Sequence, residues 1–339
     1  MTERKYLSSV HFLRGLAAFA VCFYHFTNGN TAYLPDNDHI KQIGHYGNYG
    51  VQVFFIISGL VIPFSMHMGN YKIRDFKKFL LKRVIRIEPP YLISILLVLL
   101  LGYISTLSPF YRGKPFHPDM LSLVCHLGYL NAFFHLDWIN PVYWTLAIEF
   151  QYYILIALLF PLLSAKNHFS WLLTIILFNV VSFFFADQNF IFQYSLYFTI
   201  GFIIYKFLMD DISMLLYYAL LAIVLTLIFF KSGIPGVIAG LIPVVFIFTQ
   251  WENSISRFLG NISYSLYLLH VPVGMRIINL SEVFIKTDIA RYLVILVAAA
   301  ITIWVSYIFY TYIELPCKKA SQRIKYGENK PLQIAVENA

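Results

Sequence analysis

Ten apolar stretches recur along this chain, each near the roughly 20 residues a helix needs to cross a hydrocarbon core of about 30 Å. In hydrocarbon every backbone N–H and C=O must find its partner inside the protein, and a helix supplies those partners locally. The expected fold class is therefore all-α, a polytopic transmembrane helix bundle of about ten spans. The spans fall near 10–27, 50–68, 90–107, 141–163, 171–186, 190–208, 212–230, 234–250, 258–280 and 290–313. The breaks at Ala186 to Asn189 and Lys231 to Gly233 are short, so a merged or re-entrant pair between 171 and 250 would change the count. With 59% of residues hydrophobic and 12% charged, no stretch resembles a soluble appended domain. Residues 1–339 read as one transmembrane domain, with 317–339 as a short basic cytoplasmic tail.

A formal charge of +8 would suggest nucleic acid as a partner if the basic residues formed a solvated patch. They fall instead at membrane edges. With both termini cytoplasmic, 17 of the 25 Lys and Arg lie in cytoplasmic segments and 7 in the opposite loops, and Arg14 lies within the first span. That asymmetry follows the positive-inside rule and explains the basic charge without nucleic acid. Arg4 and Lys5 could also open a cleaved signal peptide, but Arg14 interrupts the apolar run and further apolar stretches follow, so the first span is expected in the mature protein. Cys22, Cys125 and Cys317 are distant, odd in number and without a CxxC pair, so neither a disulfide framework nor a metal site is expected. Nothing in the sequence specifies an oligomeric state.

The first span, FLRGLAAFAVCFYHF from Phe12 to Phe26, carries Arg14 and His25. Eleven residues place them about 20° past three full turns and about 16 Å apart along the axis, on one face. Ionisable groups in a membrane normally face a protein interior or a water-filled cavity, so that face is a candidate site; snorkelling of Arg14 to the headgroups is the plainer alternative. In the fourth span, PVYWTLAIEFQYYIL, Glu149 lies inside the apolar run, beyond Trp144. Counting rise per residue puts His25 about 22 Å and Glu149 about 18 Å above the cytoplasmic edge. The two can meet, and a carboxylate there would orient the histidine and raise its basicity. His270 ends NISYSLYLLH near the midplane with Ser265 and Tyr267 close by, a polar cluster that suits structural bonding better than catalysis.

On the cytoplasmic side, KIRDFKKFLLKRVIR runs into Pro89 and Pro90. Proline suits a first helical turn, so the third span is expected to start there, with unpaired N–H groups beside Arg83 and Arg86. Such an end suits phosphate oxygens, while anchoring to anionic lipid explains Lys77, Lys78 and Lys82 equally well. The external loop 108–140 has an apolar middle that could lie at the interface or re-enter over a cavity. Its His117, His126 and His135, nine residues apart, read as ordinary polar residues. Glu314, in YIELP, reads as an anchor pairing with the basic belt.

The chain resembles the acyltransferase 3 family of integral-membrane acyltransferases. The likeness rests on FLRGLAAFAVCFYHF, GVQVFFIISGLVI, KRVIRIEPPY, YWTLAIEFQYY, NISYSLYLLH and YIELP, in that order over nearly the whole chain. It implies a membrane O-acyltransferase that moves an acyl group, acetyl above all, from cytoplasmic acyl-CoA to a hydroxyl of a cell-surface glycan or lipid-linked glycan. Acyl-CoA would be a co-substrate, with no bound cofactor, in a bacterial cytoplasmic membrane. By the same likeness His25 is the family's essential histidine, Arg14 its partner arginine, and Arg83 and Arg86 its cytoplasmic arginine pair. YIELP departs from the family's usual ending, where Arg commonly follows the Glu. Tyr267, Ser265, His270 and Trp144 are expected around a substrate cavity. A secondary transporter or a flippase-like component of glycan export is the rival class, since buried charges and about ten spans are equally typical of carriers. No inverted repeat between the two halves supports it.

Overall fold

The computed structural model describes residues 3–111, 117–185, 187–249 and 253–326, with side chains from Ser9 onward. Among these residues every regular element is helical. The principal helices are α1 (Glu3–Asn28), α2 (Gly50–Met68), α3 (Phe76–Thr106), α4 (Trp144–Leu163), α5 (His168–Phe184), α6 (Ser195–Leu208), α7 (Met214–Phe246), α8 (Ser254–Leu269), α9 (Asp288–Phe309) and α10 (Leu315–Gln322). Several starts are written by polar caps at the ends of apolar runs: the side chains of Asn167, Ser213 and Asn253 accept the first free N–H groups of α5, α7 and α8. Phe184 and Phe230 are each 80% exposed, as suits side chains of this size in contact with lipid.

Seven described stretches are long and apolar enough to cross a membrane, fewer than the ten expected from hydropathy. The difference has local causes. α5 is 17 residues long, the span expected at 258–280 is broken by a π-helix at His270–Met275, and the two spans expected at 212–250 are joined as α7. α7 is not straight. Gly233 holds φ 65° and ψ −166°, a backbone region open essentially to glycine alone. The rings of Tyr217 and Phe248 lie 6.4 Å apart, whereas a straight helix would separate them by about 46 Å. The chain therefore reverses at Gly233 into two antiparallel halves, and Lys231 beside the turn donates to the Gln193 carbonyl at 2.9 Å.

Pro89 and Pro90 do not start a helix; they lie inside the unbroken α3. They remove the helical donors for the Ile85 and Arg86 carbonyls, and such prolines are tolerated in membrane helices where neighbours re-satisfy the backbone. The next carbonyl along, that of Ile87, accepts the Tyr264 hydroxyl of α8 at 3.0 Å, beside the two freed ones. The expected row of free N–H groups beside Arg86 is thus not formed.

Glycines set the closest helix crossings. A Cβ on Gly201 of α6 would lie 2.0 Å from the Ile56 carbonyl oxygen, and one on Gly59 of α2 would lie 2.2 Å from that of Phe198. Small residues let membrane helices approach to backbone contact, where dispersion and weak polar contacts hold them without a hydrophobic driving force. At the far end of the chain, α9 continues through a π-helix, Tyr310–Glu314, into α10, so Cys317 to Gln322 is helix rather than loose tail. Tyr326 then packs its ring on Tyr71 and Phe79. The remainder of the expected tail, 327–339, lies outside the described residues, as do Arg112 and Lys114 of the loop 108–140.

Candidate functional site

α1, α2, α3, α4, α8 and the Tyr310–Glu314 π-helix enclose a cavity of about 120 Å³. Into it they bring Arg14, Arg83, Arg86, Glu149 and Glu314, with Tyr153, Tyr264 and Tyr267 between the charges. The formal balance of three arginines against two glutamates leaves one positive charge in a largely desolvated space, an arrangement that favours an anionic or strongly polar ligand.

Each charge is held by identifiable neighbours. Arg83 is only 6% exposed; its Nη2 donates to Ser65 Oγ at 3.1 Å, and its guanidinium lies over the rings of Phe79 and Tyr153 at 5.2 and 5.4 Å. Its Nε is buried without a partner. Stacking of this kind uses the flat, weakly hydrated guanidinium in a way an ammonium cannot reproduce. Arg86 is half-buried on the next turn of the same helix. Glu149 accepts from Ser58 Oγ at 2.9 Å. Glu314 accepts both the backbone N–H and the hydroxyl of Ser265, at 3.1 and 2.5 Å. Arg14 lines the cavity with Arg86, Glu149 and Glu314, so α1 delivers its arginine to the protein interior and not to the headgroups.

His25, about three turns farther along α1, lies outside the lining of this cavity. Its ring neighbours are Tyr24 and His270, both with centroids at 5.0 Å. The step from the cavity to this pair is Tyr267: its ring lines the cavity, sits 5.7 Å from that of His270, and packs edge-on against Phe54. Its hydroxyl is fixed by Thr145 Oγ1 at 2.7 Å and the Val142 carbonyl at 3.2 Å. Tyr267 thus touches both the charged cavity and the His25–His270 pair.

Arg14, Arg83, Arg86, Glu149 and Tyr267, singled out from sequence, are brought together around the cavity. Glu149 lines the cavity with the arginines and accepts from Ser58, and no hydrogen bond joins it to His25. Ser265 stands behind the lining as the partner of Glu314. His270 is wholly buried next to His25, and Trp144 packs on Tyr194 at the start of α4, 5.5 Å between ring centroids. Glu314 is the correction with most consequence: expected as an anchor at the membrane edge, it is 4% exposed within the cavity wall. The signal for it was a lone carboxylate ending a long apolar run, the same signal that picked out Glu149. Ser58 had none, because a serine among apolar residues marks close packing as often as a site.

Both π-helices begin or end on these groups, His270 opening one and Glu314 closing the other. π-Turns inside helices are frequent at functional sites because the extra residue re-aims a side chain. Among the described residues no group of three or more His, Cys, Asp or Glu is placed to hold a metal ion.

Comparison with known proteins gives one match. A family model described as an acyltransferase domain covers residues 7–311. No curated protein and no solved structure matches the chain.

Proposed function

We propose, from the premise that the chain belongs to the acyltransferase 3 family and is an integral membrane acyltransferase, that it moves an acetyl group from cytoplasmic acetyl-CoA to a glycan hydroxyl. The acceptor is a cell-surface glycan or lipid-linked glycan, and the membrane is the bacterial cytoplasmic membrane, crossed by about ten spans with both termini inside. The observation that carries this reading is a cavity with three arginines whose wall residue Tyr267 reaches His25 through the ring of His270. Acyl-CoA bears its charge on the phosphates of its nucleotide portion and its thioester at the end of a long flexible arm, so binding and chemistry can occur at different depths.

In this reading Arg83 and Arg86 recognise the donor, Arg14 steadies charge deeper in the cavity, and Glu149 and Glu314 hold the arginines when no donor is present. The chemistry is acyl transfer to an alcohol, a poor nucleophile at neutral pH. His25 takes the hydroxyl proton as the oxygen bonds to the thioester carbonyl carbon. The C–S bond then breaks, and the departing thiolate recovers the proton. General-base catalysis of this kind is worth about 10²- to 10⁴-fold.

The test is transfer of labelled acetyl from acetyl-CoA to extracted glycan by the purified protein in liposomes. Native protein is expected to form product without any other component, and His25→Ala to lose about 10²-fold or more in kcat. Near-normal transfer by His25→Ala removes the base assignment, and transport of the glycan without thioester consumption removes the enzyme reading.

A further inference from the structure

His270 has no exposed surface and is not part of the cavity wall, yet its ring is half-used. Nδ1 lies 3.1 Å from the Leu266 carbonyl oxygen. A carbonyl only accepts, so Nδ1 carries the proton and Nε2 of the neutral ring carries a lone pair. That Nε2 is buried with no hydrogen-bond partner, and a buried polar atom left unmatched is expensive unless it serves something. The ring of His25 is 5.0 Å away, centroid to centroid. Glu149, the carboxylate that could have oriented His25, is engaged by Ser58 within the cavity. The π-helix that begins at His270 interrupts α8 at this point.

We propose that His270 is the positioning residue for His25: its Nε2 lone pair accepts the N–H of His25 and so fixes which His25 nitrogen presents a lone pair to the acceptor hydroxyl. The inference rests on the reading of His25 as the general base. In the transfer step the hydroxyl proton goes to the free nitrogen of His25, the hydroxyl oxygen bonds to the thioester carbon, and the thiolate leaves. His25 is then an imidazolium whose second N–H points at the neutral ring of His270. The proton passes from His25 to the thiolate, and both rings return to their starting state. A neutral orienting partner suits a site in hydrocarbon, because it adds no charge to be desolvated.

Two amide substitutions separate this role from a purely structural one. The Asn amide reproduces Nδ1 and its bond to the Leu266 carbonyl, whereas the Gln amide reaches the place of Nε2. Acetyl transfer is measured for His270→Asn, His270→Gln and His25→Ala in the same liposomes, with acetyl-CoA binding as the check on folding. The expected result is a kcat for His270→Asn about 10²-fold below native, His270→Gln within about tenfold of native, and KM for acetyl-CoA unchanged in both. His270→Asn equal to or better than His270→Gln overturns the inference, as does loss of acetyl-CoA binding in both, which would make His270 a folding residue. If His25→Ala keeps its activity, the base reading fails first; if it is inactive while Asn outperforms Gln, only the role of His270 fails.

Discussion

At the scale of single residues the site depends on the kind of charge as much as on its sign. Arg83 is stacked between Phe79 and Tyr153 and bonded to Ser65, contacts made by a planar fork. Arg83→Lys is therefore expected to raise the KM for acyl-CoA about tenfold or more at unchanged net charge, with kcat largely recovered at saturation, while Lys77→Arg changes little. Steady-state kinetics in one lipid mixture decide it, and tolerance of Arg83→Lys would favour simple attachment to anionic lipid. His126 offers a test outside the membrane spans. It is wholly buried in the loop 108–140, with Nδ1–H bonded to the Ser122 carbonyl and Nε2 accepting from the Ile139 N–H. Burial holds its pKa below the usual histidine value, against the opposing pull of the Ser122 carbonyl. Above about pH 6.5 both folded and unfolded chains carry it neutral; below that the unfolded chain binds a proton the folded loop refuses, so stability falls as pH falls. Hydrogen exchange at the Ile139 amide, corrected for intrinsic rate, should speed up between pH 7 and pH 5 in native protein, with no such step in His126→Asn. The sequence made His126 look like its neighbour His117, which is indeed exposed, because spacing says nothing about which loop side chain the loop folds around.

At the scale of elements, hydropathy located the helices and proved weak at their joints. Apolar length made α1, α2 and α4 legible, but a proline pair looks the same at a helix start as inside α3, where this pair lies. The two π-turns leave no mark in the apolar pattern. Close crossings leave a mark that is easily misread, since Gly59 and Gly201 could equally have been kinks. They form a single contact between α2 and α6, each glycine facing the other helix's backbone. Gly59→Ala or Gly201→Ala is expected to cost about 1–3 kcal/mol through overpacking. Because either methyl group must push the same two helices apart, the second substitution should add much less than the first, giving clear non-additivity. Thermal unfolding of both single variants and the double variant in one detergent measures this, and simple additivity would show that each glycine is relieved locally.

At the scale of the whole molecule the issue is how the cavity faces the two sides of the membrane, and Gly233 carries it. A donor that arrives from the cytoplasm requires Arg83 and Arg86 to share a side with the basic segment around Lys77, and an acceptor outside requires the opposite side for the loop after α3. Counting charges supports that orientation only if the chain crosses an even number of times between the first and last helices' free ends, and the reversal at Gly233 decides the parity. Read as one straight crossing, α7 would leave Lys231 in hydrocarbon and invert everything after it. Read as the hairpin that the Tyr217 and Phe248 rings require, it brings Lys231 to the same end as Gln193. The native cysteines are suited to a labelling test, since Cys22 and Cys125 are buried and Cys317 is half-buried, and all three can be replaced by serine. Single cysteines at Lys77, Met120, Asp210 and Lys231, all exposed positions, would then be reacted with a membrane-impermeant maleimide on intact cells and on inverted vesicles. Met120→Cys and Lys231→Cys are expected to label from outside, and Lys77→Cys and Asp210→Cys only in inverted vesicles. Labelling of Lys231→Cys from the same side as Lys77→Cys would overturn the orientation and, with it, the delivery of acyl-CoA to Arg83 from the cytoplasm.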